Sequence, residues 1–146
     1  MNQEAELTPR WVEPGKLAGI RKPEAHELGA LAKARFQAVI SLCDDQDNHQ
    51  LYQDWKLPFL WLPVASGQIP SRVQLEQMVN FIEQFEGAVA VHCSGGQRTA
   101  AGLAAYLIHQ QGDFDLALGT IEQIIPELEL DEAQLMSLLQ QARVIQ

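Results

Sequence analysis

Four apolar residues, Ala88-Val-Ala-Val, run into His92 and Cys93, then through Ser94, Gly95, Gly96 and Gln97 to Arg98 and Thr99. A short continuous apolar run bounded by turn residues reads as a buried strand. The paired glycines make a turn, and Ala100, Ala101, Gly102, Ala104 and Ala105 let a helix lie close against a sheet. A buried strand feeding such a helix needs other strands beside it. The segment therefore commits the chain to an α/β arrangement with a mainly parallel central sheet flanked by helices.

The rest of the sequence supplies the partners. Leu17 to Ile20 is strand-like after a Pro14-Gly15 turn, and Phe36 to Leu42 is a buried, β-rich run. Leu57 to Val64 reads as a further strand, although Pro58 and Pro63 count against it. Helices are expected at Glu24 to Lys33, His49 to Trp55, Ser71 to Phe85 and Arg98 to Gln111. Ser71 and Gln74 have capping-box spacing, and Leu75, Met78, Val79, Ile82 and Phe85 form one stripe. Gly112 is placed to end the helix before it, and Asp113 and Asp131 open two more. The inward residues of these two are Ala117, Ile121, Ile124 and Ile125, then Leu135, Leu138, Leu139 and Ala142. No strand follows Val91, so ligand chemistry is expected just beyond it, outside the carboxyl ends of the strands.

At 146 residues the chain is expected to form one domain, with residues 1–10 as a flexible tail. Hydrophobic residues at 47% supply enough apolar surface for a core. The longest apolar run, Ala100 to Ile108, is too short to cross a membrane. Met1 to Pro9 has no apolar segment, so a cytoplasmic location is expected. The net charge of −9 disfavours nucleic acid as a partner, and the short apolar runs disfavour a membrane. In residues 57–146 the only basic side chains besides histidine are Arg72, Arg98 and Arg143. Cys43 and Cys93 cannot build a disulfide framework, and the scattered histidines show no metal-ligand spacing, so no cofactor is expected.

The chemistry expected of the turn follows from its residue types. A thiolate is a nucleophile, and a helix N-terminus with converging amides favours the ionised sulfur of Cys93. Gly95 and Gly96 let successive N–H groups point into one anion-binding nest with Ser94 and Gln97. Arg98 offers a bidentate fork to a tetrahedral anion, and Thr99 is placed to donate its hydroxyl to the sulfur.

The run His-Cys-Ser-Gly-Gly-Gln-Arg-Thr resembles the signature loop of the cysteine-based protein tyrosine and dual-specificity phosphatases. The resemblance extends from Trp11 to Gln111, through Trp11-Val-Glu-Pro-Gly-Lys-Leu-Ala-Gly, Ala38-Val-Ile-Ser-Leu and Leu62-Pro-Val. It implies a compact α/β domain in which Cys93 attacks phosphorus and water hydrolyses the phosphocysteine. It also implies that Arg98 binds phosphoryl oxygens, His92 orients the loop and tunes the thiol, and Thr99 helps the sulfur leave. A phosphorylated protein or a small anion is the implied substrate.

The chain departs from the family pattern twice. Four residues separate Cys93 from Arg98 where the family has five. Four is also the spacing of rhodanese-type sulfurtransferases, and of a bacterial phosphatase-like subgroup with a short loop. In addition, Val64 to Pro70 contains no acid where the family places its Asp. Loss of a general acid costs about 10²–10⁴-fold, least for acidic leaving groups, so aryl phosphates or phosphotyrosine are the expected substrates. Asp44, Asp45 and Asp47 are alternative acids or solvated loop charges.

Cys43 ends a strand that the family fold sets beside the one ending at Cys93. A resolving thiol and a packed core cysteine are both open readings. Trp55, Phe59 and Trp61 read as core, with the lining of a substrate cleft as the alternative; Arg72 reads as solvated, with substrate contact as the alternative, and His109 as favourable at a helix end. Three functions thus remain: a phosphatase, a sulfurtransferase working through a Cys93 persulfide, and an anion-binding pseudophosphatase.

Overall fold

A computed structural model describes residues 9–21, 23, 36–43, 52–53, 56–65, 68–93, 97–125 and 130–143. Five strands, β1 (Arg10–Glu13), β2 (Leu17–Gly19), β3 (Phe36–Ser41), β4 (Phe59–Trp61) and β5 (Ala88–His92), form one sheet in the order β1-β2-β5-β3-β4. The pairs β2/β5, β5/β3 and β3/β4 are parallel. The mainly parallel sheet expected from the sequence is therefore present, with β5 at its centre.

Every residue of β5 is buried, which explains its unbroken apolar run. Its side chains alternate between two cores. Val89 and Val91 join Leu17, Ile40 and the helices on one face, while Ala88 and Ala90 join Phe36, Val39 and Tyr52 on the other.

Two strands differ from expectation. Residue Arg10, placed in the tail from sequence, opens β1, which pairs antiparallel with β2. The turn between them is the expected one, with Gly15 at φ 77° and the Lys16 N–H donating to the Glu13 carbonyl at 2.9 Å. The run Leu57 to Val64 contracts to the three residues of β4. Pro58 and Pro63 have no N–H for a ladder, so the flanks pair through single bonds. These run from the Leu62 N–H to the Ser41 carbonyl (2.9 Å) and from the Val64 N–H to the Leu42 carbonyl (3.2 Å).

Four described helices follow: α1 (Arg72–Glu83), α2 (Gln97–Gln111), α3 (Phe114–Ile124) and α4 (Glu132–Arg143). Ser71 and Gln74 form the capping box in both directions, and Leu75, Met78, Val79 and Ile82 are buried. Lys16 Nζ donates to the Ile82 carbonyl (2.9 Å) and to that of Phe85, fastening the end of α1 to the start of β2. Gly112, at φ 70°, stops α2 with its N–H on the Ile108 carbonyl at 2.8 Å. Asp113 caps α3 through the Leu116 N–H, and Asp131 and Gln134 bond reciprocally at the start of α4. Ala117, Ile121, Ile125 and Leu138 are buried as expected, whereas Ile124 and Leu135 are half-buried.

The small residues of α2 serve close packing. A Cβ at Gly19 would lie 3.1 Å from Leu103 Cδ1 and 3.2 Å from Thr99 Cγ2, so β2 and the first turns of α2 nearly touch. Burial, reinforced by Glu13, pushes the Tyr106 phenol above its ordinary range. It therefore stays protonated near neutral pH, and its oxygen accepts from Gln110 Nε2 at 2.9 Å.

The helix expected at Glu24 to Lys33 lies outside the described residues. Of His49 to Trp55 only Tyr52 and Gln53 are described, and both are helical. No helix among the described residues is long and apolar enough to cross a membrane.

Candidate active site

Parallel pairing sets the site. Ser41 registers with His92, so β3 and β5 end side by side and release Cys43 and Cys93 at the same edge of the sheet. Both cysteines are buried. The Cys93 sulfur accepts the backbone N–H of Thr99 at 3.3 Å. Thr99 is the third residue of α2, and its N–H is one of the donors a helix start leaves unpaired within the helix. The helix thus presents its positive end to the nucleophile's sulfur.

The part played by Thr99 differs from the sequence expectation. The amide, not the hydroxyl, donates to the sulfur, and the hydroxyl has no hydrogen-bond partner among the described residues. The Thr99 methyl faces Gly19. A buried hydroxyl without a partner carries a desolvation penalty of about 1–3 kcal/mol.

Arg98 follows Gln97, the first residue of α2, and is 7% exposed. Its Nη1 donates to the Val64 carbonyl at 2.6 Å and, more weakly, to the Leu42 carbonyl at 3.5 Å. One edge of the guanidinium is thereby seated on the backbone beyond β3 and β4. Ser94, Gly95 and Gly96 lie outside the described residues, as does the Gln97 side chain, so the expected amide nest is not described.

His92 is fully buried. Its Nε2 is 2.8 Å from the Tyr52 hydroxyl and its Nδ1 is 4.0 Å from Cys43 Sγ. Cys43 itself donates its N–H to Ser41 Oγ (3.3 Å), and its carbonyl accepts from Trp61 Nε1 (2.6 Å). Trp61 is exposed at 37%, contrary to its expected place in the core, because its indole N–H reaches out to this carbonyl at the sheet edge.

Beyond Val64 the Gln68 N–H donates to the Ala65 carbonyl (2.9 Å), closing a turn whose middle residues, Ser66 and Gly67, lie outside the described residues. Gln74 Nε2 on α1 donates to the Pro63 carbonyl (2.8 Å) and holds the approach to this turn. Arg72 is exposed in the first turn of α1. Asp44, Asp45, Asp47 and Trp55 lie outside the described residues. Among the described residues no group of three or more His, Cys, Asp and Glu side chains could hold a metal ion.

Sequence reasoning did not identify Tyr52 or the two carbonyls that seat Arg98. A buried tyrosine needs a partner for its hydroxyl, but nothing in the order of residues says that the partner is His92.

Solved structures share this architecture. Tk-PTP in its active form is 24% identical, with a TM-score of 0.81 over 92% of this chain and 95% of that one. PTPMT1 in complex with PI(5)P is 19% identical, with a TM-score of 0.82 over 96% of each chain. Kinase associated phosphatase is 14% identical, with a TM-score of 0.73 over 84% of this chain and 83% of that one. These likenesses establish the fold. Comparison with curated proteins returns no match. A family model described as "Polymorphic toxin system, DSP-PTPase phosphatase" matches residues 15–112, which include every strand but the first, helix α2, Cys93 and Arg98. The chain belongs to this DSP-PTPase phosphatase family and is a protein tyrosine/dual-specificity phosphatase-like hydrolase.

Proposed function

We propose that the chain hydrolyses phosphate monoesters through a phosphocysteine on Cys93, with a preference for aryl phosphates or phosphotyrosine. The observation that carries this reading is the Thr99 N–H on the Cys93 sulfur at the start of α2, one residue after the buried Arg98. The sulfur attacks phosphorus, the S–P bond forms, and the ester P–O bond breaks with its electron pair leaving on oxygen. Water then attacks the phosphocysteine, releasing inorganic phosphate and returning the thiolate. Arg98, Ser94, Gly95, Gly96 and Gln97 hold the phosphoryl oxygens. The Thr99 hydroxyl, unpartnered among the described residues, hydrogen-bonds the departing sulfur in the second step.

Substrate preference follows from the leaving group. Val64 to Pro70 supplies no carboxylic acid to protonate the ester oxygen. A phenolate leaves without that help far more readily than a serine alkoxide. The net charge of −9 weighs against polyanionic substrates and favours a phosphoryl group in neutral or basic surroundings.

Substituted phenyl phosphates and a phosphoserine peptide test this directly. The expected result is a kcat/KM that falls steeply as the leaving phenol becomes less acidic, with phosphoserine about 10²-fold or more below para-nitrophenyl phosphate. Equal rates on phosphoserine and phosphotyrosine peptides would contradict the preference. Turnover of thiosulfate alone would replace the phosphatase reading with sulfur transfer.

The same reading gives Cys43 the role of a resolving thiol, supported by the neighbouring ends of β3 and β5. Hydrogen peroxide converts the Cys93 thiol to sulfenic acid and water. Cys43 then attacks that sulfur, forming a disulfide and releasing a second water. After mild peroxide and a reductant, the parent protein is expected to recover activity, whereas Cys43→Ser stays inactive with Cys93 overoxidised by mass spectrometry. Equal recovery of the two proteins would remove the role.

A further inference from the structure

Gly19 ends β2 beside the reaction centre, yet no step above uses it. It is buried, and it pairs with Arg10 of β1 and with Val91 of β5, two residues before the nucleophile. A Cβ at this position would lie 3.2 Å from Thr99 Cγ2 and 3.1 Å from Leu103 Cδ1. The Thr99 methyl thus occupies room that any larger residue would fill. Neither backbone can draw back from that contact. β2 lies between two strands, and the Ile20 N–H donates to the Val91 carbonyl at 2.9 Å. The start of α2 is held by the Thr99 N–H on the Cys93 sulfur (3.3 Å) and by Arg98 Nη1 on the Val64 carbonyl (2.6 Å). What can adjust is the tip of Leu103 and the rotamer of Thr99.

We propose that Gly19 is a positioning residue for the phosphatase reaction: by receiving the Thr99 methyl, it keeps Thr99 in the rotamer whose hydroxyl serves the Cys93 sulfur. The proposal rests on the phosphatase reading and adds a residue to it. A threonine in a helix divides between two χ1 rotamers, which differ in where the methyl and the hydroxyl point. Carbon atoms pack best at about 3.5–4.0 Å, so a methyl group added to Gly19 pushes the Thr99 methyl out of its place. The smaller hydroxyl oxygen tolerates the closer approach and takes that place, facing β2. In the present rotamer the hydroxyl is buried with no hydrogen-bond partner among the described residues, which leaves its proton for the sulfur departing from phosphorus. Attack on phosphorus uses the Thr99 N–H and Arg98, neither of which depends on this rotamer. The substitution therefore falls on the second step alone.

Gly19→Ala tests this on para-nitrophenyl phosphate with rapid quenching. The expected result is a phosphocysteine that decays about tenfold more slowly, the effect of losing one hydrogen bond to a charged sulfur. kcat/KM is expected to stay within about a factor of two, since it reports only the steps up to formation of the phosphocysteine. Thr99→Ser keeps the hydroxyl without the methyl, so adding Gly19→Ala to it is expected to change the decay by less than about twofold. Three-bond NMR couplings to Thr99 Cγ2 read the rotamer itself: one rotamer in the parent, and a shift to the other in Gly19→Ala. An unchanged decay in Gly19→Ala would overturn the proposal, as would a kcat/KM that falls as far as the decay rate. Equal slowing in the Thr99→Ser background would overturn it too, by placing the fault in the packing of Leu103. Averaged couplings in the parent would do so whether or not Gly19→Ala folds. If the parent protein cleaves no phosphate ester, the phosphatase reading fails, and the part given to Gly19 in it fails as well. The couplings separate the two failures, because they report the hold of Gly19 on Thr99 without any turnover.

Discussion

Cys93→Ser is expected to reduce hydrolysis of para-nitrophenyl phosphate by about 10⁴-fold or more while leaving the fold and phosphate binding in place. The hydroxyl has nearly the shape of the thiol and can take the Thr99 N–H that the sulfur accepts at 3.3 Å, so the start of α2 keeps its anchor. What is lost is the nucleophile. A serine hydroxyl is not ionised near neutral pH and is a far weaker nucleophile than a thiolate. Steady-state kinetics with parent and variant, alongside melting curves, check this. Residual hydrolysis within about a factor of ten of the parent would mean that water attacks phosphorus without a covalent step.

Arg98→Lys is expected to lower kcat/KM by about 10²–10³-fold, the scale seen when one donor to a developing oxyanion is removed. The guanidinium meets two demands at once because it is a rigid fork with five N–H donors. Nη1 is committed to the Val64 carbonyl at 2.6 Å, and this seat sets the plane in which the rest of the group meets the phosphoryl oxygens. A lysine has three donors on one nitrogen and cannot hold that carbonyl while presenting two parallel donors to the anion. Competitive inhibition by inorganic phosphate is expected to weaken in parallel. An Arg98→Lys protein that keeps both its kcat/KM and its inhibition by phosphate would show that the guanidinium serves the sheet edge and not the substrate.

The sequence revealed those parts of the molecule that local chemistry specifies. The continuous run Ala88 to His92 is a central strand because both faces of β5 are buried. Ser71 with Gln74, Asp113 and Gly112 mark helix ends because each bonds or bends its own neighbourhood. Where a feature depends on distant chain segments, residue order was a weaker guide. The antiparallel strand β1 forms because the Pro14-Gly15 turn folds Arg10–Glu13 back onto β2, which no periodicity in four residues announces. β4 shrank because its prolines cannot complete a ladder. At the site, the pairing of Cys93 with a helix start was legible from strand, glycines and helix in succession. The seat of Arg98 on two carbonyls and the contact of Tyr52 with His92 were not, since each joins segments more than thirty residues apart in the chain.

The phosphocysteine mechanism stands most directly on the chemical identity of the group that Cys93 carries during turnover. Rapid quenching of the protein with an excess of para-nitrophenyl phosphate, followed by peptide mass spectrometry, reads it. The predicted result is a phosphoryl group on the peptide containing Cys93, present during turnover and absent from Cys93→Ser. A phosphoryl group on any other residue, or none under steady turnover, would contradict the phosphocysteine mechanism.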